Sequence, residues 1–221
     1  MKAINPRSPW SSTRMRRRRP DATRRRILDA ATSEFAAKGL AGSRVNEIAR
    51  RARINKRMLY HYFGDKEALW LAVLEEAYLN IRSSEQKLDV SRFAPRLAMR
   101  RLIEFNLSYV QSHPEFISLL LTENVHRARY LRRSRKVRAL HTSLLDVIGD
   151  LLARGRNAGI FRKGVDAAEL YITIAALSFF YFSNIHTLST IFGRNFNAAA
   201  ARRKHRKHVV NVVLGFLRPD D

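Results

Sequence analysis

The stretch from Ser43 to Lys66, SRVNEIARRARINKRMLYHYFGDK, decides the fold of this 221-residue chain. A helix-turn-helix needs a small residue where its two helices cross, and apolar residues that hold the second helix against the first. Ala49 supplies the small residue, and Ile54 and Leu59 supply the apolar contacts five and ten residues later. The spacing therefore predicts two short helices, the first capped by Ser43 and the second by Asn55.

The second of these helices exposes its N-terminal end, which is the end that enters the major groove of DNA in such motifs. Lys56 and Arg57 carry donors suited to the O6 and N7 acceptors of guanine. Asn55 either caps the helix or reads adenine, and the sequence leaves both alternatives open. Further candidates for contacts to phosphates and thymine methyl groups are Tyr60, His61, Tyr62 and Lys66.

The charge of the chain indicates a polyanionic partner. Lys and Arg number 42 against 19 Asp and Glu, so the formal net charge is +23, of which +13 lies within residues 1–66. Nucleic acid is the first candidate partner and an anionic membrane surface is the second. Residues 1–20 include four consecutive arginines and have no hydrophobic period, so we expect a disordered basic arm. Such an arm is either a solvated tail or an extension that enters a DNA groove.

Helical periodicity continues from Asp21 almost to the end of the chain. Asp21 is placed to cap the first helix, Gly39 to end it, and Asp65 to cap the fourth helix. Five further helices are predicted over roughly 92–112, 114–130, 135–157, 166–191 and 198–217. We therefore expect an all-α chain with an N-terminal three-helix head, residues 21–66, and a larger C-terminal helical domain, residues 67–221.

Several classes of protein are disfavoured by what the sequence lacks. There is no cysteine, which excludes thiolate catalysis and Cys-based zinc sites and fits a cytoplasmic location. No phosphate-binding loop or nucleophile elbow occurs either. The most apolar stretch, 170–188, is interrupted by polar residues, and its length favours a buried helix over a membrane span. We therefore predict neither catalytic residues nor a cofactor, a metal site or a membrane partner.

The run from Leu59 to Leu69, LYHYFGDKEAL, resembles the signature of the tetracycline-repressor (TetR) family, and the resemblance extends over residues 24–70. It implies that four side chains face the bases of DNA, namely Asn46, Lys56, Arg57 and Met58. It implies that five others face the DNA backbone, namely Ser43, Arg44, Tyr60, Tyr62 and Lys66. The family usually has glycine at the position of Arg53, and a left-handed arginine there would cost about 1 kcal/mol.

The same resemblance implies a homodimer, a ligand pocket in the C-terminal domain, and repression that the ligand relieves. Candidates for the pocket lining are Trp70, Phe105, Asn106, Tyr109, Tyr171, Phe179, Phe182 and Asn184, with ordinary core packing as the alternative for each. The surplus of basic groups favours an anionic aromatic or heterocyclic effector.

The last helix carries more apolar residues than burial within one subunit requires, which predicts a dimer interface. These residues are Val209, Val210, Val212, Val213, Phe216 and Leu217. Together these features predict a homodimeric transcriptional repressor that reads a palindromic operator and is released by a small molecule. The alternative is a sequence-indifferent packaging protein for nucleic acid, which the charge alone also supports.

Overall fold

The computed structural model describes the backbone of residues 10–219 and the side chains of residues 20–219, and within that range the chain is helical without a strand. The helices are α1 (Trp10–Gly42), α2 (Val45–Arg51), α3 (Lys56–Phe63), α4 (Lys66–Gln86), α5 (Pro95–Ser112), α6 (Pro114–Val125), α7 (Arg135–Asn157), α8 (Ala167–Ser183), α9 (Ile185–Ile191) and α10 (Ala199–Phe216). Two 3₁₀ turns, Val90–Arg92 and Leu131–Arg133, precede α5 and α7. The predicted all-α class is confirmed.

The N-terminal arm differs from the expectation. Helix α1 begins at Trp10 and passes through Pro20 and Asp21, so the predicted lack of regular structure is wrong for residues 10–20 and Asp21 is not a helix cap. Arginine has a high helix propensity, which favours continuation of the helix through the basic run. Residues 1–9, the rest of the predicted arm, lie outside the described residues.

The end of α1 sets the entry into the helix-turn-helix. Gly39 has φ 65° and ψ 179°, a backbone conformation that glycine adopts without a steric cost, and it interrupts the helix where the sequence predicts a stop. Ser43 does not cap α2, because its hydroxyl donates to the carbonyl oxygens of Glu34 and Gly39, at 3.1 and 2.5 Å. The N-cap position belongs to Arg44, which makes no side-chain capping bond.

The chain divides into two compact units, Met1–Val73 and Leu74–Asp221. In the first unit, α1 packs on α2 and α2 on α3. Its fully buried side chains include Ile27, Phe35, Ile48, Leu59 and Trp70. The unit extends beyond residue 66, where the sequence places the end of the head, because Leu69, Trp70 and Val73 of α4 are also buried.

The second unit is built around α5, which contacts α7, α8 and α10. Its core combines Met99 and Ile103 of α5 with Ile148 of α7 and Ile174 of α8. The predicted single helix over 166–191 is two helices, α8 and α9, which bend by 67° at Asn184. Among the described residues no single helix is long and apolar enough to cross a membrane, and α8 with α9 meets those criteria only as a bent pair.

Helix α10 buries most of its apolar residues inside its own chain. Val209, Val210, Val213 and Leu217 belong to the core of the second unit, so their number does not by itself indicate a dimer. The expectation that six apolar residues exceed the needs of one subunit is wrong for these four, because they pack in the core with α5 and α8. Val212 and Phe216 remain exposed, by 40% and 51%.

Candidate nucleic-acid interface and ligand cavity

The helix-turn-helix has the packing that its sequence predicts. Ala49 and Leu59 are buried and Ile54 is half-buried. The turn passes through Arg53 in the left-handed region, with φ 54°, and the amide of Ile54 donates to the carbonyl of Ala49 at 3.0 Å. The structure thus confirms a left-handed arginine at this position, at a cost of about 1 kcal/mol relative to glycine.

Helix α3 has one buried face and one exposed face. Leu59 and Phe63 point into the first unit, which leaves Lys56 and Arg57 exposed on the first turn. The Oδ1 atom of Asn55 accepts a hydrogen bond from the amide of Met58 at 2.7 Å, so Asn55 is the N-cap of α3. This cap satisfies an otherwise unpaired amide and stabilises the end of the helix that carries the exposed cations.

The other predicted DNA contacts are exposed or half-buried, with one exception. Arg44, Asn46, Met58, Tyr60 and His61 are exposed, and Tyr62 and Lys66 are half-buried. The Nζ atom of Lys56 lies 5.6 Å from the ring centroid of Tyr60, and Lys66 Nζ donates to the carbonyl of Ala41 at 3.5 Å. Ser43 is the exception, since its side chain is only 4% exposed and its hydroxyl is bonded to α1. We correct its assignment from a DNA contact to a residue that joins α1 to α2.

Two glutamates neutralise arginines of the first unit, and neither pairing was predicted from the sequence. Hydrogen bonds from Arg50 and Arg51 lower the pKa of Glu47 to about 2. Glu34 is fully buried, and a hydrogen bond from Lys38 at 2.8 Å is the main cause of its lowered pKa.

Arg51 also lies 3.4 Å from the second carboxylate oxygen of Glu34, which is an ion-pair contact although that oxygen accepts no hydrogen bond. In the part of the chain that the structure describes, neither Lys56 nor Arg57 is paired with a carboxylate. Their charges are therefore available to an external anion.

The second unit contains a cavity of about 580 Å³. Three of its lining residues, Asn106, Tyr171 and Phe179, are predicted by the sequence. The other nine were not predicted from the sequence; they are Tyr78, Ile81, Val110, Phe116, Leu120, Asn124, Ile172, Ala175 and Ala176. Many of the twelve recur at intervals of three or four along one helix, as Phe116, Leu120 and Asn124 do on α6. Residues at this spacing share one face of a helix, so the pattern in the sequence could have indicated which face of each helix lines the cavity.

Five predicted lining residues do not line this cavity, and each has another structural role. Trp70 belongs to the core of the first unit, where its ring meets that of Phe35 edge-on at 5.1 Å. Tyr109 is buried and stacks on His113 at 4.0 Å, and Phe105 packs in the same cluster. Phe182 packs against the core of the second unit. The side-chain amide of Asn184 donates to the carbonyl of Phe180 at the end of α8.

A smaller cavity of about 200 Å³ in the second unit has charged walls. Arg82 lines it together with Glu85 and Asp89. Arg82 is 3% exposed, and its Nη1 atom donates to Glu85 at 2.5 Å. Burial is the main cause of the raised pKa of Glu85. Among the described residues, no group of three or more His, Asp or Glu side chains could hold a metal ion.

Each unit of the chain matches a domain model of the same protein family. Residues 27–73 match the model of the bacterial regulatory proteins of the tetR family, and residues 95–213 match the tetracyclin repressor-like C-terminal domain. The chain is 35% identical over 206 residues to the HTH-type transcriptional repressor NicS of Pseudomonas putida, covering 93% of this chain and 97% of that protein.

Two further similarities agree with these matches. The HTH-type transcriptional repressor SCO4008 of Streptomyces coelicolor is 31% identical over 175 residues, which cover 74% of this chain and 80% of that protein. Among solved structures, a TetR family transcription regulator from Marinobacter aquaeolei VT8 superposes with a TM-score of 0.69 at 21% identity. The superposition covers 91% of this chain and 98% of that one, and it supports the fold.

Proposed function

The chain belongs to the TetR family of bacterial transcriptional regulators, and from that premise we propose that it is a homodimeric repressor which leaves a palindromic operator when a small molecule fills its larger cavity. Membership of the family makes it a DNA-binding transcriptional regulator and not an enzyme. Both relatives described above are named as repressors, which supports repression over activation for this protein. A regulator of this kind acts on the chromosome, so we place it in the cytoplasm.

The observation that carries the proposal is the exposed first turn of α3. Asn55 caps this turn and Leu59 anchors it in the core. The side chains between them are exposed and have no ion-pair partner among the residues whose side chains are described. We assign base contacts to Asn46, Lys56, Arg57 and Met58. We assign backbone contacts to Arg44, Tyr60, His61, Tyr62 and Lys66. The remaining positive charge adds sequence-independent affinity, which falls steeply with salt.

We assign the dimer interface to exposed apolar residues of α8 and α10. Phe180 is 59% exposed on α8, and Val212 and Phe216 are exposed on α10. The two helices pack against each other within the chain, so their exposed residues can form one surface. Two copies of such a helix pair would make a four-helix interface with twofold symmetry.

Disruption of this surface is expected to produce monomers. The double substitution Phe180→Glu and Phe216→Glu places two carboxylates per chain in the proposed apolar contact, where they would lose hydration. Sedimentation velocity at micromolar concentration should show a dimer for the wild type and a monomer for the variant. Leu121→Glu on α6, which replaces a similarly exposed leucine, is the matched control and should stay dimeric. A dimeric double variant would place the interface elsewhere.

Helix α4 is the proposed connection between ligand binding and DNA release. It is one continuous helix that contributes Leu69 and Trp70 to the core of the first unit and Tyr78 and Ile81 to the cavity of the second. A ligand that displaces Tyr78 therefore acts on a helix whose first turns form part of the head. Coupling energies between two such sites are typically about 1–3 kcal/mol, which changes operator affinity by about 5- to 150-fold.

Selection of binding sites from randomised duplex DNA tests the proposed function directly. At about 0.15 M salt, where non-specific contacts are weakened, we expect an enriched palindrome. Its half-sites should lie about one helical turn, or about 34–36 Å, apart. Tight, salt-sensitive binding without an enriched sequence would instead identify a packaging protein. Seven exposed basic residues between Arg127 and Arg138 are the feature that would support that second function.

A further inference from the structure

We propose that the effector is an uncharged aromatic molecule carrying a hydrogen-bond donor, and that the side-chain amide of Asn106 recognises this donor. The proposal rests on the proposed function, because it names the class of molecule that fills the larger cavity. It replaces the sequence-based expectation of an anionic effector.

The walls of the larger cavity argue against an ion. All twelve lining side chains are uncharged amides, phenols or hydrocarbons at neutral pH. The cavity opens to solvent at Asn124, Ile172 and Ala176, which are exposed. A carboxylate bound against the apolar walls would still give up part of its hydration without gaining a cationic partner from the lining, which is unfavourable. The cationic surplus that suggested an anion lies mostly on the surface. The buried Arg82 lines the smaller cavity and is paired with Glu85, and it reaches the larger cavity only through its hydrogen bond to the hydroxyl of Tyr171.

The cavity walls favour a flat, aromatic ligand. Four rings line it, those of Tyr78, Phe116, Tyr171 and Phe179, and the ring of Tyr78 meets that of Phe116 edge-on at 5.8 Å. Aromatic rings prefer edge-on or offset contacts with other rings, which add to the gain from burial. A volume of about 580 Å³ is within the range of sites that enclose small molecules.

Asn106 supplies the specific polar contact. It is 5% exposed, it lines the cavity, and its Oδ1 atom has no hydrogen-bond partner among the described residues. A buried carbonyl oxygen without a partner destabilises the protein, so native structures almost always satisfy it. This oxygen is closed off from the cavity in the structure. Rotation of the side-chain amide would turn it toward the cavity, where an N–H or O–H group on the ligand would satisfy it and a carboxylate oxygen would repel it.

The phenols of the cavity complement this acceptor with donors. The Nη2 atom of Arg82 donates to the hydroxyl of Tyr171 at 3.4 Å, so the phenolic hydrogen of Tyr171 is free to point elsewhere. Burial raises the pKa of Tyr78 to about 12, which keeps that phenol protonated. A ligand with both a donor and an acceptor, such as an aromatic carboxamide, therefore matches the cavity better than one with an acceptor alone.

Three probes of nearly equal shape separate these alternatives on the full-length protein: 2-naphthamide, methyl 2-naphthyl ketone and 2-naphthoate. The amide carries the donor, the ketone lacks it, and the carboxylate is an anion. By isothermal titration we expect the amide to bind about tenfold more tightly than either of the others. In Asn106→Leu the preference for the amide over the ketone should fall below about twofold. In Asn124→Leu, which removes the other amide of the lining, the preference should persist.

Far-UV circular dichroism of both variants checks that they are folded. Binding of 2-naphthoate at least as tight as that of the amide would overturn the proposal. So would a preference for the amide that survives in Asn106→Leu, or the absence of saturable binding by all three probes. Operator binding measured in the same samples separates this inference from the proposed function. If the protein selects an operator but shows no preference for the amide, the proposed function stands and the proposed ligand class is wrong. If the protein selects no operator, the proposed function itself is wrong.

Discussion

Replacement of Arg57 by alanine is expected to weaken binding of the selected operator by about 30-fold or more. A good bidentate contact from arginine to guanine contributes about 1–3 kcal/mol to discrimination between bases. A homodimer loses this contact in both half-sites, which gives a combined loss of at least about 2 kcal/mol. Alanine has the highest helix propensity, and Arg57 forms no ion pair within the described part of the chain, so the folded state should be unaffected. Fluorescence anisotropy with operator and scrambled duplexes at the same salt concentration measures the effect.

The comparison between the two duplexes identifies what Arg57 contacts. A base contact predicts a large loss on the operator and a small loss on the scrambled duplex. Lys207→Ala, which removes an exposed cation from α10, is the matched control and should change both affinities by a similar small factor. If Arg57→Ala weakened both duplexes equally, Arg57 would be a phosphate contact, and base recognition would have to come from other residues of the surface.

Replacement of Trp70 by alanine is expected to destabilise the first unit by about 3–5 kcal/mol, which is the usual cost of truncating a buried tryptophan. Trp70 has no exposed surface, and its ring packs edge-on against Phe35 in the core beneath the helix-turn-helix. Since typical domains are stable by only 5–15 kcal/mol, operator binding should be lost at temperatures that the wild type tolerates. Thermal unfolding followed by circular dichroism, together with operator binding at several temperatures, measures both effects.

A conservative substitution separates packing from ligand binding at this position. Trp70→Phe keeps an aromatic ring in the core and should cost much less than Trp70→Ala. If Trp70 instead lined the effector site, as its sequence position suggested, both variants would lose ligand affinity without a large change in thermal stability. The packing of the ring against Phe35 predicts the opposite result, with stability reduced and ligand affinity retained in the folded protein.

The helix-turn-helix is predictable from sequence because its determinants are local. The crossing at Ala49, the cap at Asn55 and the inward position of Leu59 each depend on residues within about ten positions of one another. The left-handed backbone at Arg53 follows from the same short segment. A regular helix repeats every 3.6 residues, so this spacing alone specifies which side chains of α3 are buried and which are exposed.

Partners that are distant in sequence could not be predicted in this way. Ser43 appears suited to cap α2, yet its hydroxyl bonds back to Glu34, nine positions earlier. The apolar residues of α10 predict contact with a second subunit, yet α5, about one hundred positions earlier, covers most of them. An apolar helix face predicted from sequence indicates that the face is buried, but it does not indicate which element packs against it.

The sequence by itself determined the helical class, the family and the surface of the head, because those depend on helical periodicity, capping and a short motif. The tertiary structure alone decided that Trp70 belongs to a core and that the cavity walls are uncharged. It also decided that Asn106 lines the cavity and that its Oδ1 atom lacks a hydrogen-bond partner among the described residues. The physical reason is that burial and hydrogen-bond satisfaction depend on which helices meet in space. These helix contacts bring together residues that are far apart in the sequence, and local sequence patterns do not specify them.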